Sequence, residues 1–432
     1  MEYTALLILV MALVAFLSLG LPKAIAIALA SSVIIILFLD FEMSMFIINQ
    51  NFVTGTDSFS LIAVPFFIVA GLIMNTGGIA GRLIDLSKVL VGRVPGSLMH
   101  TNIVGNLLFG SISGSSVAAA IAMGGTIGPL QAKDGYDKAQ SAAANAASAP
   151  AGLILPPTGL LIIFSTVSGG TSIAALFLAG YVPGLLWGAS CMAVAYGVAK
   201  KQNLPKSPRV SLSEGLQVFL KAIPSLLLIV IIMGGITTGI FTATEASAIA
   251  VAYAFVLSFF CYRSLTVADV RKILVEGATM TGVIMFLIAA GSVMSWVMSF
   301  TGIPNAIANT VLGITTNPVI LLLLLNLVLL FVGSLMDITP ILIIFTPIFL
   351  PIVTQIGMDP VHFGMMMAVN LGIGNVTPPI GSAFIVSAQV AELKIESLVK
   401  PLVSYVIALA VVLLLVTFVP QLSLFLPNLL LN

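Results

Sequence analysis

The sequence predicts an all-α polytopic membrane protein with two inverted repeats, each containing a re-entrant hairpin and a broken helix. Three observations lead there. Of 432 residues, 59% are apolar and 7% charged, against about 25% charged in a soluble domain. Apolar runs of about 20 residues, enough to cross a ~30 Å hydrocarbon core, recur from end to end. Two proline-pair motifs, LPPTG (155–159) and TPPIG (377–381), interrupt such runs 222 residues apart. A β-barrel would instead show short alternating segments, and a net charge of +1 indicates no nucleic-acid partner.

The elements follow in order from the basic loops. Residues 4–20 form the first span. Glu2 stands where a signal peptide would be basic, and Lys23 comes only after the apolar run, so this segment reads as a helix with its N-terminus outside. The positive-inside rule places the following on the cytoplasmic side: Arg82, Lys88 and Arg93; Lys133 and Lys138; Lys200, Lys201, Lys206 and Arg209; Arg263, Arg271 and Lys272; Lys394 and Lys400. Residues 24–40 then run outward and 60–80 return. A hairpin between Arg93 and Lys133 enters and leaves on the cytoplasmic side. Residues 136–170 cross outward, 173–199 return, 222–240 and 243–262 make another pair, and 273–298 cross outward. A second hairpin, 317–352, enters from outside, 360–391 cross inward, and 402–427 leave. This scheme has ten crossings and puts both termini on the periplasmic side. It divides the chain into scaffold helices (1–60), a first repeat (61–215), connecting scaffold helices (216–270) and a second repeat (271–432).

The repeat is legible in short matches. Gly152 and Gly374 keep the spacing of the proline pairs. LLFGS (107–111) matches LLFVGS (329–334), and TGGIAG (76–81) matches TGIPNA (301–306) more loosely. Four matches in order argue for a duplicated unit, and the threading gives the copies opposite orientations, a recurring plan of secondary transporters. Proline lacks an N–H, so carbonyls upstream of each pair lose their helical partners. In hydrocarbon that costs several kcal/mol, unless water or a cation takes the lone pairs. Freed carbonyls and hydroxyls make a hard-oxygen site suited to sodium. The tips GSISGSSVAAA (110–120) and GSLMDITP (333–340) carry such hydroxyls. The small residues there also suit close helix packing, but their pairing with a downstream break in both repeats favours a binding site.

GSISGSSVAAAIAMGGTIGP, SAAANAASAPAGLILPPTG, FTATEASAIAVAYA (241–254) and GNVTPPIG resemble the large membrane subunit of the tripartite ATP-independent periplasmic (TRAP) transporters, along essentially the whole chain. The resemblance implies a sodium-driven elevator of the ion-transporter superfamily fold. A transport domain of both hairpins and both broken helices would slide past a fixed scaffold. It also implies a periplasmic substrate-binding protein, a small four-helix membrane subunit expected as a separate chain, and organic-acid substrates such as C4-dicarboxylates or sialic acid, in the bacterial inner membrane. Carried over by position, the first sodium site would use Ser113 and Ser115 with carbonyls of Gly152, Leu155 and Pro157. The second would use Gly333, Thr339, Gly374, Thr377 and Pro379. Ser111, Ser116, Asn145, Ser148, Thr158, Asp337 and Asn370 are candidates to line the substrate cavity. Sodium is the coupling ion, and no other cofactor or metal is expected.

The remaining polar residues are weighed singly. Asp337 stands in an apolar hairpin, and a carboxylate at membrane depth is a functional candidate; alternatively its tip meets external water. Glu245 follows Thr242 and Thr244, where it would complete a helix cap, with partner binding the second reading. Segments 82–95 and 303–316 (polar at Asn305, Asn309 and Thr310) read as interfacial arms linking scaffold to transport domain. Cys191 and Cys261 read as buried small hydrophobes, and His100 and His362 receive no role. No fixed arginine faces the apolar interior, so half-helix ends and bound sodium would have to hold an anion. No GxGD or HExxH pattern supports an enzyme, and no P-loop supports an ATP-driven pump. A channel, or a sodium-coupled carboxylate transporter working without a binding protein, are the nearest rivals.

Overall fold

A computed structural model describes residues 2–207, 211–314 and 317–431, which form helices joined by tight turns, with no strand among the described residues. Arg209, residues 315–316 and the Asn305 side chain, named above, lie outside the described set. The N-terminal helices are α1 (Glu2–Ser18), α2 (Lys23–Phe38) and α3 (Phe41–Thr54), then a 3-10 turn (Phe59–Ile62) running into α4 (Ala63–Thr76). Helix α5 (Ile79–Val91) leads to the hairpin α6 (Ser97–Ser113) and α7 (Ser116–Lys133). The first broken helix is α8 (Lys138–Ser148), α9 (Ala151–Ile154) and α10 (Gly159–Val167), bent by 51° at the break. Then come α11 (Ile173–Lys201), α12 (Leu212–Thr237), α13 (Ala243–Val256) ending in a π-turn (Leu257–Cys261), and α14 (Val267–Thr301). Helix α15 (Ile303–Ile314) precedes the hairpin α16 (Pro318–Leu335) and α17 (Ile338–Gln355). The second broken helix is α18 (Pro360–Val376) and α19 (Ser382–Val390), followed by α20 (Ile395–Phe418) and α21 (Gln421–Leu430).

Burial sorts the helices into an inner and an outer set. Every residue of α18 from His362 to Val376 is buried, as is every residue of α8 from Ser141 to Ser148. Both therefore lie inside protein, where an interrupted backbone is tolerated at membrane depth. Outer helices instead expose large apolar side chains, among them Leu7, Leu29, Val230, Val283 and Ile407, a surface suited to lipid. α2 packs on α1 and α14, α4 on α13 and α14, and α5 on α6 and α12. Among the contacts between the first and second halves of the chain, α7 packs on α19 and α10 packs on α17. Hairpin and break thus face each other reciprocally.

Several boundaries differ from the sequence expectation. Residues 41–54, left between spans, form α3, whose start is capped by Asp40 accepting from the Met43 N–H. The arm expected at 82–95 starts at Ile79, where Gly78 (φ +75°) turns the chain from α4, and ends at Val91. The expected last span, 402–427, is two helices. Val419 precedes Pro420 and leaves the helical region (φ −119°, ψ 84°), since a following proline disfavours helical backbone, so α20 stops at Phe418. Cys191 is buried as expected, but Cys261 is exposed, because it ends the π-turn at the surface.

Candidate functional site

The site is built where hairpins meet breaks. In an intact helix the carbonyls of Gly152 and Leu153 would accept from residues 156 and 157, and those of Gly374 and Asn375 from residues 378 and 379. All four positions are proline, so these helical bonds cannot form. The helices accordingly stop at Ile154 and Val376, and each break contains a cis proline–proline bond, Pro156–Pro157 and Pro378–Pro379.

Each hairpin lies directly against its break through a pair of glycines. A Cβ added at Gly152 would stand 2.7 Å from the Gly110 carbonyl carbon. One added at Gly374 would stand equally close, 2.7 Å, to that of Gly333. At the first tip, Gly114 (φ +61°) ends α6 and sits against Pro157, Thr158 and Gly159. Ser115 caps α7 by accepting from the Ala118 N–H at 3.2 Å, and Thr158 caps α10 by accepting from Leu161 at 3.4 Å. The Ser113 hydroxyl is buried without a hydrogen-bond partner. At the second tip the Ile380 N–H donates to the Ser334 carbonyl at 3.2 Å.

The two breaks differ in what remains free. The Gly374 carbonyl accepts from the Thr377 N–H at 3.1 Å, and the Thr377 carbonyl accepts from Gly381 at 3.3 Å. The Thr377 hydroxyl donates to the Ile373 carbonyl at 2.7 Å. A carbonyl or hydroxyl oxygen has two lone pairs, so these atoms keep acceptor capacity, whereas the Ser113 hydroxyl is buried with no partner at all.

The candidate cavity residues separate into groups. Ser116 accepts from Asn375 Nδ2 at 2.8 Å, joining tip 1 to break 2. Asn145 and Ser148 are linked through Asn106, whose Nδ2 lies 3.1 Å from Asn145 Oδ1 and 2.8 Å from Ser148 Oγ. Asn370 bonds Asn326 Oδ1 at 2.8 Å in a different cluster that includes Thr417. Ser111 donates to its own helix, at Leu108. Asp337 is not sunk in the protein. Its side chain is 54% exposed and pairs with Lys23, at the start of α2. Glu245 completes a capping box with Thr242, accepting from its N–H at 2.8 Å, while the Thr244 hydroxyl donates to the Phe59 carbonyl.

Sequence reasoning missed Asn106, Asn375 and Ser387. Asn375 Oδ1 accepts from Ser382 and from the Ala383 N–H at 2.9 Å, holding the two halves of break 2 together. Asn145 reaches Ser387 Oγ at 3.2 Å. Asn375 carried a signal, as an amide two residues before TPP; Asn106 and Ser387 carried none. Among the described residues no three His, Cys, Asp or Glu side chains gather as a metal site. The arrangement is one of neutral oxygens, suited to a hard monovalent cation rather than a transition metal.

Residues 10–422 match the family described as the tripartite ATP-independent periplasmic transporter, DctM component. An uncharacterized protein, YgiK, of Salmonella typhimurium is 50% identical over 383 residues, covering 89% of this chain and 88% of its own. The 2,3-diketo-L-gulonate TRAP transporter large permease protein YiaN of Escherichia coli is 36% identical over 421 residues, covering 97% and 98%. The crystal structure of the YdaH transporter of Alcanivorax borkumensis superposes with a TM-score of 0.61 at 13% identity, covering 88% of this chain and 89% of that one. The last likeness concerns fold alone.

Proposed function

This chain belongs to the family of DctM components of tripartite ATP-independent periplasmic transporters, and on that premise we propose that it carries an organic acid across the bacterial inner membrane, driven by sodium. The transport domain would be the two hairpins and two broken helices, moving as an elevator against the scaffold helices of 1–60 and 216–270. The observation that carries the reading is the Ser113 hydroxyl, buried and unpartnered beside a break whose Gly152 and Leu153 carbonyls have lost their helical donors. These oxygens, with those of Leu155 and Pro157, form the first ion site, and the Gly333–Gly374 crossing with Thr339, Thr377 and Pro379 forms the second. Ser115 serves by capping α7 and so fixing the tip.

The N-terminus of α10, beside tip 1, presents its positive dipole end to an anionic substrate. The name of the YiaN relative supports a sugar acid; a C4-dicarboxylate or sialic acid are the other members of the proposed class. A small four-helix membrane subunit and a periplasmic binding protein would complete the system, with both termini of this chain on the periplasmic side. Moving each net charge inward gains about 2.3 kcal/mol per 100 mV, so two or more sodium ions per monoanion would make uptake electrogenic.

Uptake into proteoliposomes holding both membrane subunits tests this. Accumulation should require the binding protein and an inward sodium gradient, and Ser113→Ala or Thr377→Ala should weaken sodium activation. Uptake indifferent to the gradient would defeat sodium coupling. Robust uptake without the binding protein would point to a carboxylate transporter working alone.

A further inference from the structure

Below the first hairpin, α6, α7, α8 and α19 enclose a cavity of about 280 Å³. It is distinct from the tips and breaks: Ser113, Ser115, Thr158 and Thr377 do not line it, and Asn145 is its one residue in common with the substrate candidates. Lys138 lies on its wall, Lys133 ends α7, and Lys394 stands in the loop after α19. The positive-inside rule therefore opens it toward the cytoplasm.

Its walls carry uncommitted donors. Asn102 is 0% exposed. Its Oδ1 accepts from Asn106 at 3.0 Å, and its Nδ2 has no partner. The Ser141 side chain is 6% exposed and its hydroxyl is also unpartnered. Lys138, the first residue of α8, lines the exposed side and makes no salt bridge among the described residues. A buried amide N–H and hydroxyl that lack acceptors are unfavourable. Together with an ammonium group they are complementary to a carboxylate, which accepts several bonds and gains most from a charged donor. Glu392 lines the same cavity; it repels a second carboxylate and accepts from a hydroxyl.

We propose that this cavity is a second, cytoplasm-facing site for a small hydroxylated monocarboxylate, its carboxylate held by Asn102, Ser141 and Lys138 and a hydroxyl by Glu392. The site is separate from sodium coupling, so its test is equilibrium binding in sodium-free buffer. Gluconate is titrated calorimetrically into the purified full-length chain, and succinate into a parallel sample. Gluconate should bind saturably and at least tenfold tighter than succinate. Lys138→Glu and Asn102→Asp should each weaken gluconate at least tenfold and Ser141→Ala severalfold, whereas Glu392→Gln should bring succinate close to gluconate. Should the buried Asn102→Asp change prevent folding, Lys138→Glu and Ser141→Ala decide the matter. The proposal is overturned by absence of saturable gluconate binding, by binding unchanged in those two variants, or by equal affinity for succinate. Binding that appears only with sodium also overturns it, and would assign the ligand to the coupled site instead.

Discussion

Gly152 and Gly374 each stand where a helix backbone crosses a hairpin backbone. An added Cβ meets a carbonyl carbon at 2.7 Å in both places, and backbone cannot swing aside. Gly152→Ala and Gly374→Ala should therefore each cost about 1–3 kcal/mol, the usual penalty of overpacking. Gly333→Ala meets Gly374 Cα at 3.3 Å and should be milder, and Gly159→Ala, with nothing within 4 Å, should be neutral. Thermal unfolding in detergent ranks the four; equal losses at Gly159 and Gly152 would remove the close crossing as the cause. Ser113 has the opposite sign. Leaving a buried hydroxyl unpaired costs about 1–3 kcal/mol, so Ser113→Ala should be at least as stable as the parent without sodium. Added sodium should raise the melting temperature of the parent and leave the variant nearly unmoved. An equal shift in both would mean that this hydroxyl is not a ligand.

At the scale of elements, what the sequence made legible is what local chemistry decides. Consecutive prolines cannot donate, so the ends of α9 and α18 at Ile154 and Val376 follow from the residues alone. The start of α13 was legible for the same reason, since Thr242 and Glu245 cap their own backbone. Capping rather than partner binding as the role of Glu245 has a measurable consequence. Glutamine also closes a capping box, so Glu245→Gln should keep the parent melting temperature while Glu245→Ala and Thr242→Ala lower it, the last by about 0.5–2 kcal/mol. None of the three should change the binding-protein concentration that half-saturates uptake; a shift with Glu245→Gln would restore the docking reading. What stayed illegible depends on tertiary register. Asn106 meets Ser148 across 42 residues and Asn145 meets Ser387 across 242, and no local pattern marks such pairs. The mixed apolar and polar run of α3 was missed because 14 residues are too few to span a bilayer.

For the whole molecule, the informative contact is the one that joins the N-terminal helix α2 to the second hairpin tip. Asp337 stands among apolar neighbours in sequence, and its partner, Lys23, is 314 residues away. The side chains are 37% and 54% exposed, and an exposed ion pair contributes below about 1 kcal/mol. Lys23→Gln or Asp337→Asn should thus alter uptake by less than about fivefold, since 1 kcal/mol shifts an equilibrium by no more than that. A covalent link asks the larger question. A lysine–aspartate pair reaches farther than the ~4.4–6.8 Å Cα separation of a disulfide, so a short bismaleimide is the suitable bridge between Lys23→Cys and Asp337→Cys. The exposed native Cys261 is first replaced by serine, while Cys191 is buried and unreactive. If the hairpins slide as a body past α2, the bridged protein should lose nearly all uptake, and each single-cysteine variant treated alike should keep it. Full uptake by the bridged protein would mean that α2 and this tip keep their relation throughout the cycle, and the moving boundary would then have to lie elsewhere than between scaffold and second hairpin.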